Sequence, residues 1–292
     1  MFQQITVFLR LIRFSHTVFA LPFAIIGALL AAGGLPSASV CLWILVAMVA
    51  ARTAGMGFNR FVDAEIDAEN PRTQGREIPS GQIGKPAVAA FTLGSAALFV
   101  FAAARLNPVA LVLSPVVLVV LCGYSYTKRF TPASHFVLGL ALGLAPVGAW
   151  VAILGTESLP GIAIPITLGT AVLLWVAGFD ILYACLDIDF DRKRGLHSVP
   201  RHLGVKRSLR LAAALHAGMV LLLVAVAFLA GAAPAFLLGI AAVAGLLIHE
   251  HRLVRPDDLS KMNQAFFTVN SIVGLLLLAA VVIDLVAFGR VP

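Results

Sequence analysis

Nine apolar stretches of about 20 residues, the length that crosses a bilayer, take up most of this 292-residue chain. They lie at approximately 14–34, 38–60, 86–104, 107–125, 134–154, 162–184, 208–230, 233–250 and 264–288. No polar stretch is long enough to fold as a second domain. The sequence is 60% hydrophobic and 12% charged, whereas soluble domains carry roughly 25% charged residues. The expected fold is therefore an all-α membrane protein, with nine transmembrane helices in a single bundle and one domain over residues 1–292. Pro22, Pro115, Pro146 and Pro165 fall inside spans, where proline is tolerated. The first apolar run is too long for a signal peptide and has no clear cleavage site.

Basic residues set the orientation. With the N-terminus in the cytosol, 19 of the 21 Lys and Arg fall on the cytosolic side, and only Arg105 and Arg290 do not. Cytosolic enrichment of Lys and Arg is the usual topological signal, and one span more or fewer would scramble it. The expected location is the inner (cytoplasmic) membrane, in contact with membrane lipid. The net charge of +7 follows from this topology and does not point to nucleic acid. Cys41, Cys122 and Cys185 are dispersed and odd in number, which excludes a disulfide framework and a zinc–cysteine site.

Acidic residues are scarce and clustered. Nine of the 14 lie in 63–77 or 180–191, and carboxylates beside lipid are costly enough that they usually serve a function. Asn59, Asp63 and Asp67 step by four, as do Asp187 and Asp191, so each set is expected on one helix face. Both clusters end even-numbered spans, so both are expected at the cytosolic surface. Each precedes a basic loop, Pro71–Arg76 and Arg192–Gly195, and the two units resemble a remote duplication of weak sequence similarity.

Hard oxygen ligands suit Mg²⁺, which typically combines one or two carboxylates with substrate phosphates. The neighbouring Arg and Lys can grip further phosphate oxygens. A ligand with a diphosphate head and a long apolar tail fits both environments, and metal with bases would stabilise departing diphosphate. The alternative is a set of interfacial charges that only pair with one another. Tyr124, Tyr126 and Tyr183, the three tyrosines, all lie at cytosolic helix ends. An interfacial aromatic belt would place some at the outer ends too. A functional role for at least one is expected, since a Tyr ring can shield a cation. His249-Glu250-His251 reads as an interfacial helix end, and Glu157 and Asp284 on the outer side receive no role. Gly81-Gln82-Ile83-Gly84-Lys85-Pro86 does not match a P-loop.

These residues resemble the UbiA superfamily of intramembrane prenyltransferases. Its Asn-x-x-x-Asp-x-x-x-Asp motif stands here as Asn59, Asp63 and Asp67. Its Asp-x-x-x-Asp motif stands as Asp187 and Asp191, in the context Asp180-Ile-Leu-Tyr183-Ala-Cys-Leu-Asp187. Its Tyr-x-x-x-Lys motif stands as Tyr124 and Lys128. Leu11-Ile12-Arg13-Phe14-Ser15-His16 and Asn70-Pro71-Arg72-Thr73 are similar to family segments as well.

The resemblance implies a central cavity opening to the cytosolic side and a lipid-facing opening for an isoprenoid tail. It implies two Mg²⁺ ions, one held by Asn59, Asp63 and Asp67, the other by Asp187 and Asp191. It also implies a polyprenyl diphosphate bound by Arg13, Arg72, Lys128 and Lys193, and an allylic cation lined by Tyr124 and Tyr183. Asp180 would sit near an aromatic acceptor. Arg60 stands where many members carry Asp, and its role is open. The implied acceptor is a small aromatic acid: 4-hydroxybenzoate on the way to ubiquinone, or a dihydroxynaphthoate on the futalosine route to menaquinone.

Two rival classes fit less well. A transporter would need polar groups along a path to both faces, and here they gather on one. A lipid phosphotransferase would need an Asp-x-x-Asp-Gly string, which is absent.

Overall fold

The computed structural model describes residues 2–12, 17–262 and 269–289. Residues Arg13–His16, the starts of the first and ninth expected spans, and Arg290 lie outside the described residues. The described residues are almost wholly helical: α1 (Phe2–Leu11), α2 (Thr17–Ala32), α3 (Ala38–Val62), α4 (Ala64–Glu69), α5 (Lys85–Leu106), α6 (Pro108–Thr127), α7 (Ser134–Leu154), α8 (Ala163–Ala184), α9 (Ile188–Arg194), α10 (Val199–Leu229), α11 (Pro234–Leu253) and α12 (Asn270–Phe288). Eight helices among them are long and apolar enough to span a membrane, and α2 supplies a shorter apolar helix. The protein is an all-α membrane protein with nine apolar helices among the described residues, close to the expected spans.

Turn chemistry sets the boundaries. Ser37 caps α3 by accepting from the Val40 N–H. Asn107 alone separates α5 from α6: its side chain accepts from the Ala110 N–H at 2.8 Å and donates to the Val151 and Ala152 carbonyls, with Pro108 at the first helical position. α10 starts nine residues earlier than expected, at Val199, because Gly204 adopts φ 74°, ψ 166° and joins two helical pieces across a kink.

Successive apolar helices are neighbours around a ring, α3 to α5, α6, α7, α8, α10, α11 and α12. α2 closes the ring by touching both α12 and α3, and also packs across it on α7. Trp175, Phe19, Phe23 and Phe179 form the aromatic centre of the largest core cluster. Lipid hydrocarbon gives helices little hydrophobic reason to associate, so close contact between small residues does much of the work. α7 and α8 meet in this way: a Cβ on Gly143 would lie 2.4 Å from the Gly169 carbonyl oxygen, and one on Gly139 would lie 2.5 Å from that of Leu173.

Asp284, given no role from sequence, is buried on α12 and caps a different helix. Its two carboxylate oxygens accept from the Ala235 and Phe236 N–H groups at 2.9 and 3.2 Å. The start of α11 thereby gains a charged cap beside the positive end of the helix dipole. Asp284→Ala should destabilise the protein by about 2 kcal/mol, seen as a lower thermal unfolding midpoint in detergent, and Asp284→Asn should lose less.

Candidate active site

Both acidic motifs begin where a long helix breaks. α3 ends at Val62, and Asp63 (φ −90°, ψ 3°) starts the short α4. α8 ends at Ala184, a 3₁₀ turn covers Cys185–Asp187, and Asp187 (φ −108°, ψ 7°) starts the short α9. Neither motif is one uninterrupted helical face, as the i,i+4 spacing suggested. Each pivots on an Asp in the sparsely populated bridge region, where active-site residues are common. The two units are built alike, which is what their matching sequence layout suggested.

The break aims each carboxylate at a base. Asp63, 1% exposed, accepts from Lys128 Nζ at 2.7 Å, Arg129 Nη2 at 3.2 Å and Asn59 Nδ2 at 2.8 Å. Asp67 takes Arg76 Nη1 on both oxygens at 2.6 Å, with Arg60 Nη1 at 3.9 Å. Asp187 accepts from Arg72 through two guanidinium nitrogens and from Asn70 Nδ2 at 3.2 Å. Asp191 accepts from Ser198 Oγ at 2.6 Å, and Asp187, Lys128 and His135 lie within electrostatic reach of it.

The loop after α4 thus crosses to the second motif through Asn70 and Arg72. The end of α6 crosses to the first through Lys128 and Arg129. Three carboxylates, Asp63, Asp67 and Asp187, pair with five bases at one end of the bundle, and Asp191 joins them through Ser198.

The Arg72 guanidinium also lies over the Tyr183 ring, 4.9 Å from its centroid. Burial opposes its charge, but hydrogen bonds and charge from Asp187, with Tyr183, hold it above the ordinary arginine value.

Beneath the charged end lies a cavity of about 380 Å³ walled by α2, α3, α5, α6, α7 and α8. Ligand pockets span about 300–1,000 Å³. The wall is apolar apart from four side chains: Arg52, Ser114, Tyr124 and Asp180. Arg52 and Asp180 each lie seven residues, about 10 Å of helix, inward from Asn59 and Asp187. Tyr124 lies one turn inward from Lys128. Asp180 is fixed by His135, whose Nδ1 is 2.7 Å from an Asp180 oxygen. The Val199 N–H donates to His135 Nε2 at 3.2 Å. That bond leaves the ring hydrogen on Nδ1, where it donates to Asp180.

Sequence reasoning placed Asn59, Asp63, Asp67, Arg72, Lys128, Asp187 and Asp191 in this cluster, and Tyr124, Tyr183 and Asp180 beside it. Arg13 lies outside the described residues. Lys193 is exposed on the last turn of α9 and makes no ion pair among the described residues. Arg52, Arg76, Arg129, His135 and Ser198 were missed as site residues. Arg76 ends a basic loop already noted and Arg129 directly follows Lys128 of the Tyr-x-x-x-Lys motif, whereas nothing local marks His135 or Ser198.

Arg60 also resolves. It is buried, and its Nε donates to the Leu11 carbonyl at 3.2 Å, which ties the end of α1 to the first motif. Cys185 is a buried packing residue.

A family model described as the UbiA prenyltransferase family matches residues 20–272. The 4-hydroxybenzoate octaprenyltransferase of Aeromonas hydrophila subsp. hydrophila is 33% identical over 256 residues, covering 87% of this chain and 87% of its own. That of Shewanella halifaxensis is 28% identical over 290 residues, covering 97% of each chain. Among solved structures, the apo structure of a UbiA homolog from Aeropyrum pernix K1 matches with a TM-score of 0.85 at 35% identity, over 93% of this chain and 98% of that one. A UbiA homolog from Archaeoglobus fulgidus bound to DMAPP and Mg²⁺ shares the fold, with a TM-score of 0.66 at 22% identity over 94% of this chain and 96% of that one. By motif, fold and match, the chain belongs to the UbiA prenyltransferase family.

Proposed function

We propose that the protein transfers a polyprenyl group from polyprenyl diphosphate to a ring carbon of 4-hydroxybenzoate, at the cytosolic face of the inner membrane. The observation that carries this reading is the stacking of a charged cluster on an apolar cavity with few polar groups. An anionic head and an apolar tail are both accommodated. The basic residues gathered at the same end support the orientation, and the names of the bacterial relatives support the acceptor.

The donor set of Asn59, Asp63, Asp67, Asp187 and Asp191 is all oxygen, and carboxylate-rich, which fits Mg²⁺. Bound there, Mg²⁺ would supply positive charge to a diphosphate leaving group. Arg72, Arg76, Lys128 and Arg129 now lie on those same carboxylates. When a diphosphate binds, Arg72, Arg76, Lys128 and Arg129 would turn from the carboxylates to phosphate oxygens, leaving the carboxylates to hold the metal.

The allylic C–O bond then breaks, and its electron pair leaves with diphosphate. Tyr124 and Tyr183 present ring faces to the allylic cation, as Tyr183 already does to Arg72. Arg52 holds the acceptor carboxylate. Asp180, positioned by His135, accepts the phenol hydrogen bond and so enriches the adjacent ring carbon that attacks. The ring proton passes to the released diphosphate, which restores aromaticity.

A panel of acceptors tests this. Purified protein with a polyprenyl diphosphate and Mg²⁺ should yield a C-prenylated product from 4-hydroxybenzoate faster than from 1,4-dihydroxy-6-naphthoate or homogentisate. Preference for the naphthoate would assign the chain to the menaquinone route, and no product from any would overturn the reading. Arg52→Gln should raise KM for the acceptor about 10- to 100-fold, the worth of one charged hydrogen bond, and leave KM for the diphosphate unchanged.

A further inference from the structure

A second polar cluster lies in the other half of the ring, away from the cavity. His216 on α10 and Glu250 and His251 on α11 place one ligand atom each within 4.8 Å of one another. Although the triplet lies at the end of α11, Glu250 is buried and His251 half-buried against α10, and only His249 of the three is exposed. His251 Nε2 is 3.0 Å from His216 Nδ1, which is 3.5 Å from Glu250 Oε2. We infer that His216 Nδ1, His251 Nε2 and Glu250 Oε2 form a binding site for a transition-metal ion of the zinc class.

Four observations carry this. First, Glu250 is 0% exposed and its Oε2 has no hydrogen bond. A carboxylate oxygen buried without one is costly, and a cation removes that cost. Second, the spacing suits the ion. Zinc sits about 2.0–2.1 Å from its nitrogen and oxygen ligands, so tetrahedral ligand atoms are roughly 3.4 Å apart, close to the 3.0 and 3.5 Å that separate His216 Nδ1 from its two partners.

Third, the outer groups already orient the ligands. His216 Nε2 lies 3.2 Å from the Trp175 carbonyl, which can only accept, so Nε2 carries the hydrogen and Nδ1 offers its lone pair. Asn270 Nδ2 donates to Glu250 Oε1 at 2.7 Å and is held by Trp175 Nε1, also at 2.7 Å. Backbone carbonyls and amides in these positions are the usual supports of metal-binding histidines and carboxylates. In the 3.0 Å bond to His216 Nδ1 the hydrogen sits on His251 Nε2; an arriving ion would displace it to Nδ1, and Nε2 would then present a second lone pair to the same point. Fourth, His251 is only half-buried and lies near the end of α11, which gives an ion a way in.

Two imidazoles and one carboxylate favour zinc-like ions over Mg²⁺, which prefers oxygen. The bound ion would pin α10 to α11.

Chelator-stripped, desalted full-length protein should take up zinc in the presence of excess Mg²⁺, which occupies oxygen-rich sites. Wild type is expected to retain one Zn²⁺ per chain after gel filtration, and its thermal midpoint should rise with zinc. Glu250→Gln keeps the shape of the side chain, and His251→Ala changes a half-buried residue. Each should weaken zinc by more than the roughly 10- to 100-fold that outer-shell changes cost, and lose the thermal shift.

Cobalt(II) gives a test in wild type alone. Tetrahedral coordination produces an intense visible band, and octahedral oxygen coordination a weak one. Failure of wild type to hold zinc, an octahedral cobalt spectrum, or full zinc retention in both variants would overturn the assignment. None of these readouts uses prenyl transfer, so the result stands apart from the proposed activity.

Discussion

Asp63→Asn and Asp187→Asn should each lower the rate of prenyl transfer by about 10³-fold or more, a barrier increase of about 4 kcal/mol. Each substitution removes one negative charge from the pivot of a motif, and Asn offers a single carbonyl oxygen in place of a carboxylate. Asp63 is the more enclosed of the two, with Lys128, Arg129 and Asn59 converging on it. The unfolding midpoint should change much less than the rate. Lys128 and Arg129 side chains are 31% and 37% exposed, so water can take over their solvation. Steady-state kinetics in detergent, with thermal unfolding on the same samples, checks both halves. Full activity in both variants would remove the carboxylates from the mechanism.

Gly143→Leu should be the most damaging single change to the fold outside the site. The new Cβ would stand 2.4 Å from the Gly169 carbonyl oxygen, and Gly169 in turn packs on the Gly143 carbonyl. Both contacts are backbone, so no side-chain rotation relieves them and α7 must separate from α8. Overpacking of a well-filled core costs about 1–3 kcal/mol and sometimes more, and this position belongs at the upper end. His135 on α7 and Asp180 on α8 would lose register, and the cavity would lose its shape. Gly94→Leu is the control, since a Cβ there meets nothing within 4 Å. Thermal unfolding should show a large drop for the first and almost none for the second.

The bilayer makes much of this fold legible in a sequence. A span of fixed length must satisfy all its backbone groups internally, so α7 and α8 begin and end within a residue of expectation. The charged motifs were legible for a related reason, because Asp63 and Asp187 are conspicuous in a lipid-facing context. What spacing alone concealed was the helix break at each motif. An i,i+4 pattern persists whether or not the helix pivots, and the Asp63 and Asp67 N–H groups still bond four residues back across the break.

Arg52 enters the sequence pattern only as one of the 19 cytosolic-side bases, since nothing in its apolar surroundings shows that it faces a cavity formed with five other helices. His216 was hidden more completely. It lies inside a long apolar run, 34 residues from Glu250, and only the packing of α10 on α11 brings the two together.

Removing the metal tests the central claim most directly. Wild-type protein should form C-prenylated 4-hydroxybenzoate and diphosphate in equal amounts with Mg²⁺, stop when EDTA is added, and recover when Mg²⁺ is restored in excess. Binding of a non-hydrolysable prenyl diphosphate analogue, measured on the same preparation, should show the same dependence. Equal product formation with and without EDTA, or analogue binding indifferent to Mg²⁺, would contradict the account.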